Sequence, residues 1–136
     1  MADFSIRSTA TELMDDLHCA GKTLDQTLRE LEVINTWLGG NAVTRSGFQK
    51  LLSTQKLSSS VTVADLGCGG GDMLVLIKKW CYKWRLQCKL TGIDANPNVV
   101  SYAQCITAAH DNINIETLNI FSEAFKSRRY DVITAT

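Results

Sequence analysis

The residues able to do chemistry in this chain crowd between Val61 and Asp94, where a run of glycines is flanked by acids. Gly67, Gly69, Gly70 and Gly71, interrupted only by Cys68, follow the β-rich segment VTVADL directly, and a helical pattern starts at once at Asp72. Glycines in such a place let the backbone turn sharply and approach a ligand with no Cβ in the way, and the helix that follows offers unpaired amides. The competing reading is a tight turn with no ligand, but so many glycines give up much chain entropy for a turn alone. Asp65, two residues before Gly67, sets a carboxylate beside the loop. That suits a ligand with a cationic end and repels a pyrophosphate. A dinucleotide loop of the form GxGxxG would also need glycine or alanine where this chain has Asp72. A second acid, Asp94, closes the segment LTGID, 23 residues beyond Gly71. At the end of a strand and at about that separation, a carboxylate can accept protons from both hydroxyls of a ribose; the alternative is an aspartate that only caps a turn.

Positioning these groups requires alternating strands and helices. The segments VTVADL, CKLTGID, INIETL and YDVITAT are β-rich, and helical patterns over 72–84 and 97–110 separate the first three, so βαβ units and a parallel sheet are expected. Asn96 before Pro97 is a strong helix start, because the amide side chain caps a free N–H and proline at the first helical position loses no bond. On the helix after the glycine loop, Met73, Leu76, Ile77, Trp80 and Trp84 share a face, with Lys78, Lys79 and Lys83 elsewhere. This is the pattern of a helix lying on a sheet with a solvated back, and Arg128-Arg129 is read the same way.

Ahead of the sheet, residues 9–56 read as helices. Leu24, Leu28, Leu31, Ile34 and Leu38 form an apolar stripe, Thr23 with Gln26 resembles a capping box, and Gly39-Gly40 stops the helix. A second helix is expected over 43–55 with Asn41 as its cap. The polar stretch from Ser53 to Ser60 has linker composition, which divides the chain into a helical cap over 1–58 and an α/β portion over 59–136.

Composition narrows the partners. With 136 residues, 45% of them hydrophobic, the chain can bury one ordinary core. Its 14 basic and 14 acidic side chains balance, so no net field draws it to nucleic acid or to an anionic membrane. Five scattered cysteines and two isolated histidines, His18 and His110, give neither a disulfide framework nor a metal site. No apolar run of signal or membrane-spanning length is present in the sequence, and a cytoplasmic location is expected.

The segment DLGCGGG resembles the DxGxGxG first motif of class I S-adenosylmethionine-dependent methyltransferases. The resemblance covers residues 61–136 and implies a Rossmann-like parallel sheet, the first half of the class I methyltransferase fold, behind an N-terminal helical segment. It implies S-adenosyl-L-methionine as cofactor. Asp65 would hold the amino-acid end, and the backbone of Gly67, Cys68, Gly69 and Gly71 would pass the methionine and ribose. Asp94, followed by Ala95, would hold the ribose hydroxyls. Asn119 stands where the family often has an aspartate for the adenine amino group, and Ile120 and Phe121 would wall the ring. The N-terminal segments ELMDDLH, LRELEVINTWLGG and TRSGF are similar to the leading part of certain bacterial small-molecule methyltransferases, which implies a small-molecule acceptor, with Trp37 and Phe48 lining its pocket. In the family's strand order, 3-2-1-4-5-7-6, YDVITAT is the fourth strand, so the chain is expected to be truncated there and inactive alone, and no catalytic residue is assigned. It is also expected to form a homodimer through that last strand. Two other classes stay open: a non-catalytic cofactor-binding or interaction module, and an NAD-binding oxidoreductase domain.

Overall fold

A computed structural model of the chain describes residues 16–54 and 60–135. The helical expectation over 9–15 and the boundary at 58–59 lie outside the described residues. The elements run α1 (Lys22–Trp37), α2 (Gly40–Thr54), β1 (Ser60–Leu66), α3 (Asp72–Lys83), β2 (Gln87–Asp94), α4 (Pro97–Thr107), β3 (Ile113–Thr117), α5 (Glu123–Lys126) and β4 (Val132–Thr134).

All four strands are parallel, in the order β3-β2-β1-β4. Crossovers β1-α3-β2 and β2-α4-β3 carry the chain outward in one direction, and β4 returns to the far side of β1. Alternation decides the packed face. Val61 and Val63 of β1, Leu90 of β2, Ile115 of β3 and Val132 of β4 form one core with Leu74, Ile77 and Cys81 of α3 and with Val100 and Ala103 of α4. Registers such as Val63 opposite both Leu90 and Val132 put these side chains on the same side of the pleat.

One glycine makes that packing possible. A Cβ at Gly92 would stand 2.6 Å from Ile115 Cδ1, 2.7 Å from Leu74 Cδ1 and 2.9 Å from Cys68 Sγ, so β2, β3, α3 and the glycine loop close on the space its missing side chain leaves.

The helix start at Asn96 is as expected: its side chain accepts from Asn98 N at 2.9 Å, with Pro97 in the first helical turn. Other local expectations are corrected. On α3 the buried positions are Met73, Leu74, Ile77 and Cys81, while Leu76 and Trp80 are only half-buried, so the face toward the sheet is turned from the expected one. The stripe on α1 is buried only at Leu24 and Leu28; Leu31, Ile34 and Leu38 are exposed, because only the first turns of α1 lie on the body of the protein. No capping box forms, since α1 starts after Gly21 without a side-chain cap and Gln26 bonds Glu30 instead. α2 starts at Gly40, ahead of Asn41, whose side chain reaches back to Thr36. Phe48 is core, stacked on Trp84 with centroids 6.1 Å apart, and Trp37 is 83% exposed. On the last strand, Val132 is buried in the core, whereas Ile133 on the opposite face is exposed.

Composition gave no hint of the Arg128 contact. Its guanidinium grips the Glu116 carboxylate with both terminal nitrogens and fastens the connection after α5 back to β3.

Candidate functional site

Because the strands are parallel, their carboxyl ends share one edge, the usual place for a ligand in an open α/β sheet. There the chain leaves β1 through Gly67, Gly69 and Gly71, whose φ values of 67°, 50° and 80° lie in the left-handed region that glycine adopts without strain. Gly67 N and Cys68 N both donate to Ile93 O, at 2.8 and 3.1 Å, so the loop is stitched to the end of β2 just before Asp94.

A cleft of about 410 Å³ opens beside that seam. Of the residues singled out from sequence, it brings together Gly67, Asp94, Ala95, Asn119, Ile120 and Phe121; Leu17 and Asn96 are added. Asp94 is half-buried, its Oδ1 accepts from Asn96 N at 2.9 Å, and its carbonyl accepts from Leu118 N at 3.0 Å. Thus β2 and β3 hold the two banks of the cleft in register. Asn119 Oδ1 accepts from Phe121 N at 2.8 Å, a local turn that sets Ile120 half-buried and leaves Phe121 exposed.

Asp65, Cys68, Gly69 and Gly71 do not line this cleft. Cys68 turns its thiol inward against Gly92 and is 4% exposed, and burial pushes that thiol up to about 12, so it is no nucleophile at neutral pH. A Cβ at Gly69 would sit 3.7 Å from Leu28, which places α1 across the loop. Gly71 precedes α3, and its N–H donates to Cys68 O at 2.9 Å.

Asp65 is the unusual group. It is 1% exposed; Thr134 Oγ1 of β4 donates to its Oδ1 at 2.6 Å, and its Oδ2 is buried with no partner among the described residues. Burial lifts its pKa to about 6, against the Thr134 hydrogen bond that lowers it, with the nearby Asp72 charge raising it further. A buried acceptor lacking a donor fits a ligand that brings an ammonium. Thr134 escaped the sequence reading, and only the register of β4 on β1 would have signalled it.

The loop is a poor cradle for a pyrophosphate. The amides of Gly67, Cys68 and Gly71 are spent on backbone carbonyls, and at the start of α3 the backbone N–H groups of Asp72 and Met73 favour the charged form of the Asp72 carboxylate. Burial, the larger effect, nevertheless holds Asp72 above the usual carboxylate range. Among the described residues no group of three His, Cys, Asp or Glu side chains could hold a metal ion, and no helix is long and apolar enough to cross a membrane.

Comparison with known proteins points the same way. The family described as "Methyltransferase domain" matches residues 57–136. A protein-lysine N-methyltransferase of Saccharomyces cerevisiae, EFM4, is 33% identical over 85 residues, 60% of this chain and 35% of the yeast protein. Among solved structures, a protein from Methanococcus maripaludis provisionally named an S-adenosyl-L-methionine-dependent methyltransferase superposes with a TM-score of 0.61 at 12% identity, over 96% of this chain and 53% of that one. The CurJ carbon methyltransferase gives 0.57 at 23% identity, over 70% of this chain and 26% of its own. The chain thus spans about half or less of each of these proteins. With the glycine loop, the two acids and the β3-β2-β1-β4 sheet in the family's order, this protein belongs to the class I S-adenosylmethionine-dependent methyltransferases.

Proposed function

We propose that this chain holds S-adenosylmethionine in the cleft between the glycine loop, Asp94 and Asn119, and serves methyl transfer to the ε-amine of a protein lysine. The cofactor, when bound, supplies an activated sulfonium methyl. The observation that carries the reading is the pair of carboxylates: Asp94 at the cleft's edge for the ribose hydroxyls, and Asp65 with an orphaned oxygen behind the loop for the amino-acid end. Both are negative, as a cationic ligand demands and a dinucleotide phosphate does not. The residues of this chain bind and orient; positioning is much of what such a transfer needs.

For the acceptor, 33% identity to a protein-lysine methyltransferase supports the lysine reading. The small-molecule acceptor implied by the leading segments loses its structural support, because Trp37 is exposed and Phe48 is buried in the core, and neither lines the cleft. Titration calorimetry with adenosylhomocysteine and NAD tests the cofactor, and tighter binding of NAD would refute it. Radiolabelled methyl followed into a cell extract tests the acceptor: label on polypeptide supports lysine, label only in the small-molecule filtrate restores the earlier expectation.

A pH dependence follows from Asp65. The folded, ligand-free chain holds a proton there up to about pH 6, whereas the unfolded chain releases it near the ordinary carboxylate value of 3.8. Asp65 therefore adds stability fully below about pH 4, and loses that contribution as pH rises through 6. A ligand ammonium favours the carboxylate instead, so adenosylhomocysteine should bind about tenfold more weakly at pH 5 than at pH 7. Asp65→Asn should flatten that difference; an unchanged slope in the variant would remove Asp65 from the site.

Asn119 is proposed to accept the adenine amino proton with the second lone pair of its amide oxygen. Asn119→Asp keeps the turn to Phe121 and should match or exceed wild-type affinity, while Asn119→Leu should lose about 1 kcal/mol. Equal affinities for all three would end the adenine role.

We also propose a two-fold dimer through β4. Among the described residues β4 pairs only with β1, and Ile133 is 53% exposed beside the unpaired edge. Light scattering at micromolar concentration should give twice the chain mass, and a monomer would exclude it.

A further inference from the structure

The short segment Asp16–Gly21, which precedes α1, lies against the cofactor cleft, held there by the side chains of Asn96 and Asn98. Asn96 is 3% exposed and makes hydrogen bonds in three directions. Its backbone N–H donates to Asp94 Oδ1 at 2.9 Å, fixing the orientation of the carboxylate assigned to the ribose. Its side-chain oxygen accepts from Asn98 N at 2.9 Å, capping α4. Its side-chain nitrogen donates to Cys19 O at 3.2 Å and is 3.5 Å from Asp16 O, nearly eighty residues away in sequence. Asn98 adds a second tether, Nδ2 to Cys19 O at 3.3 Å.

The tethered segment carries Leu17, which lines the cleft and remains 48% exposed. An apolar side chain held half-open at the rim of a cleft gains burial when a ligand covers it. Cys19, Leu24 and Leu28 anchor the rest of this segment and α1 on Val99 and Tyr102 of α4, so Leu17 is presented from a fixed base.

We propose that Asn96 is a positioning residue that joins the Asp16–Gly21 segment to Asp94, so that the segment closes Leu17 over a ligand whose ribose Asp94 holds. The inference rests on the cofactor reading above. It predicts that breaking the tether speeds ligand loss while sparing the cap and the Asp94 contact. Asn96→Ser keeps a capping oxygen on a side chain one atom shorter, which withdraws the donor from Cys19 O without added charge, and Asn96→Asp keeps length and cap but has no donor for Cys19 O. Asn98→Ala removes the neighbouring tether and leaves Asn96 untouched, should either Asn96 variant fail to fold.

The experiment is stopped-flow dissociation of adenosylhomocysteine, with amide hydrogen exchange on the ligand-free chain. Each tether variant should dissociate about fivefold faster or more, as the loss of one buried hydrogen bond implies, and its His18 and Cys19 amides should exchange faster. In a Leu17→Ala background the same substitutions should no longer speed dissociation, a coupling that a purely structural role would not produce. Unchanged dissociation, or an equal effect in both backgrounds, would overturn the proposal while leaving cofactor binding intact. Failure of the wild-type chain to bind adenosylhomocysteine would overturn both.

Discussion

Asp94→Ala is expected to weaken adenosylhomocysteine binding by about 1 to 3 kcal/mol, roughly 5- to 150-fold in affinity, with little change in folding stability. The size follows from the charge-assisted bonds that a carboxylate gives a pair of ribose hydroxyls. The small stability effect follows from Asp94 being half-buried at the end of β2, with one oxygen engaged only by Asn96 N. Alanine leaves the backbone bond from Leu118 N to the residue's carbonyl in place, so the two banks of the cleft stay together. Calorimetry on both proteins, with a thermal melt as control, decides the matter. An unchanged affinity would take Asp94 out of the site, and a large fall in the melt would make its role structural.

Gly92→Ala should act in the opposite sense, on the fold before the site. One added methyl would meet Ile115 Cδ1, Leu74 Cδ1 and Cys68 Sγ all below 3.0 Å. Each is the end of a side chain that could turn aside alone. Together they come from β3, α3 and the glycine loop, and all three residues are 5% exposed or less, so nothing nearby is empty to receive them. Overpacking of this kind destabilises by about 1 to 3 kcal/mol. Denaturant unfolding should show that loss, and adenosylhomocysteine affinity should fall as well, because displacing Cys68 moves the loop stitched to Ile93 O. A variant as stable as the wild type would mean that the core has slack there.

These two residues also mark what a reader of the sequence can and cannot see. Asp94 is visible because strand, glycine loop and acid follow one another at a spacing that local rules interpret, and the same holds for the Asn96-Pro97 helix start. Gly92 sits in plain view within TGID, yet its importance depends on three side chains brought in from elsewhere. Thr134 beside Asp65 is likewise a product of strand register, and Arg128 on Glu116 of the path the chain takes after α5, rather than of neighbouring residues. The stripe of α1 misleads for the related reason that periodicity gives a face and not what covers it. Leu24 and Leu28 find α4, whereas Ile34 and Leu38 find solvent.

The bond from Thr134 to Asp65 spans 69 residues, and it joins the two strands whose pairing closes the longest loop in the sheet. Contacts of such separation form late, since the entropy of closing the loop must be met before the pairing returns anything. During synthesis β1, α3, β2, α4 and β3 can assemble while β4 is still unmade. Until then Asp65 lacks both its hydroxyl partner and the strand beside it. On the cofactor reading proposed above, ligand affinity is therefore acquired when β4 pairs with β1, not with the glycine loop alone.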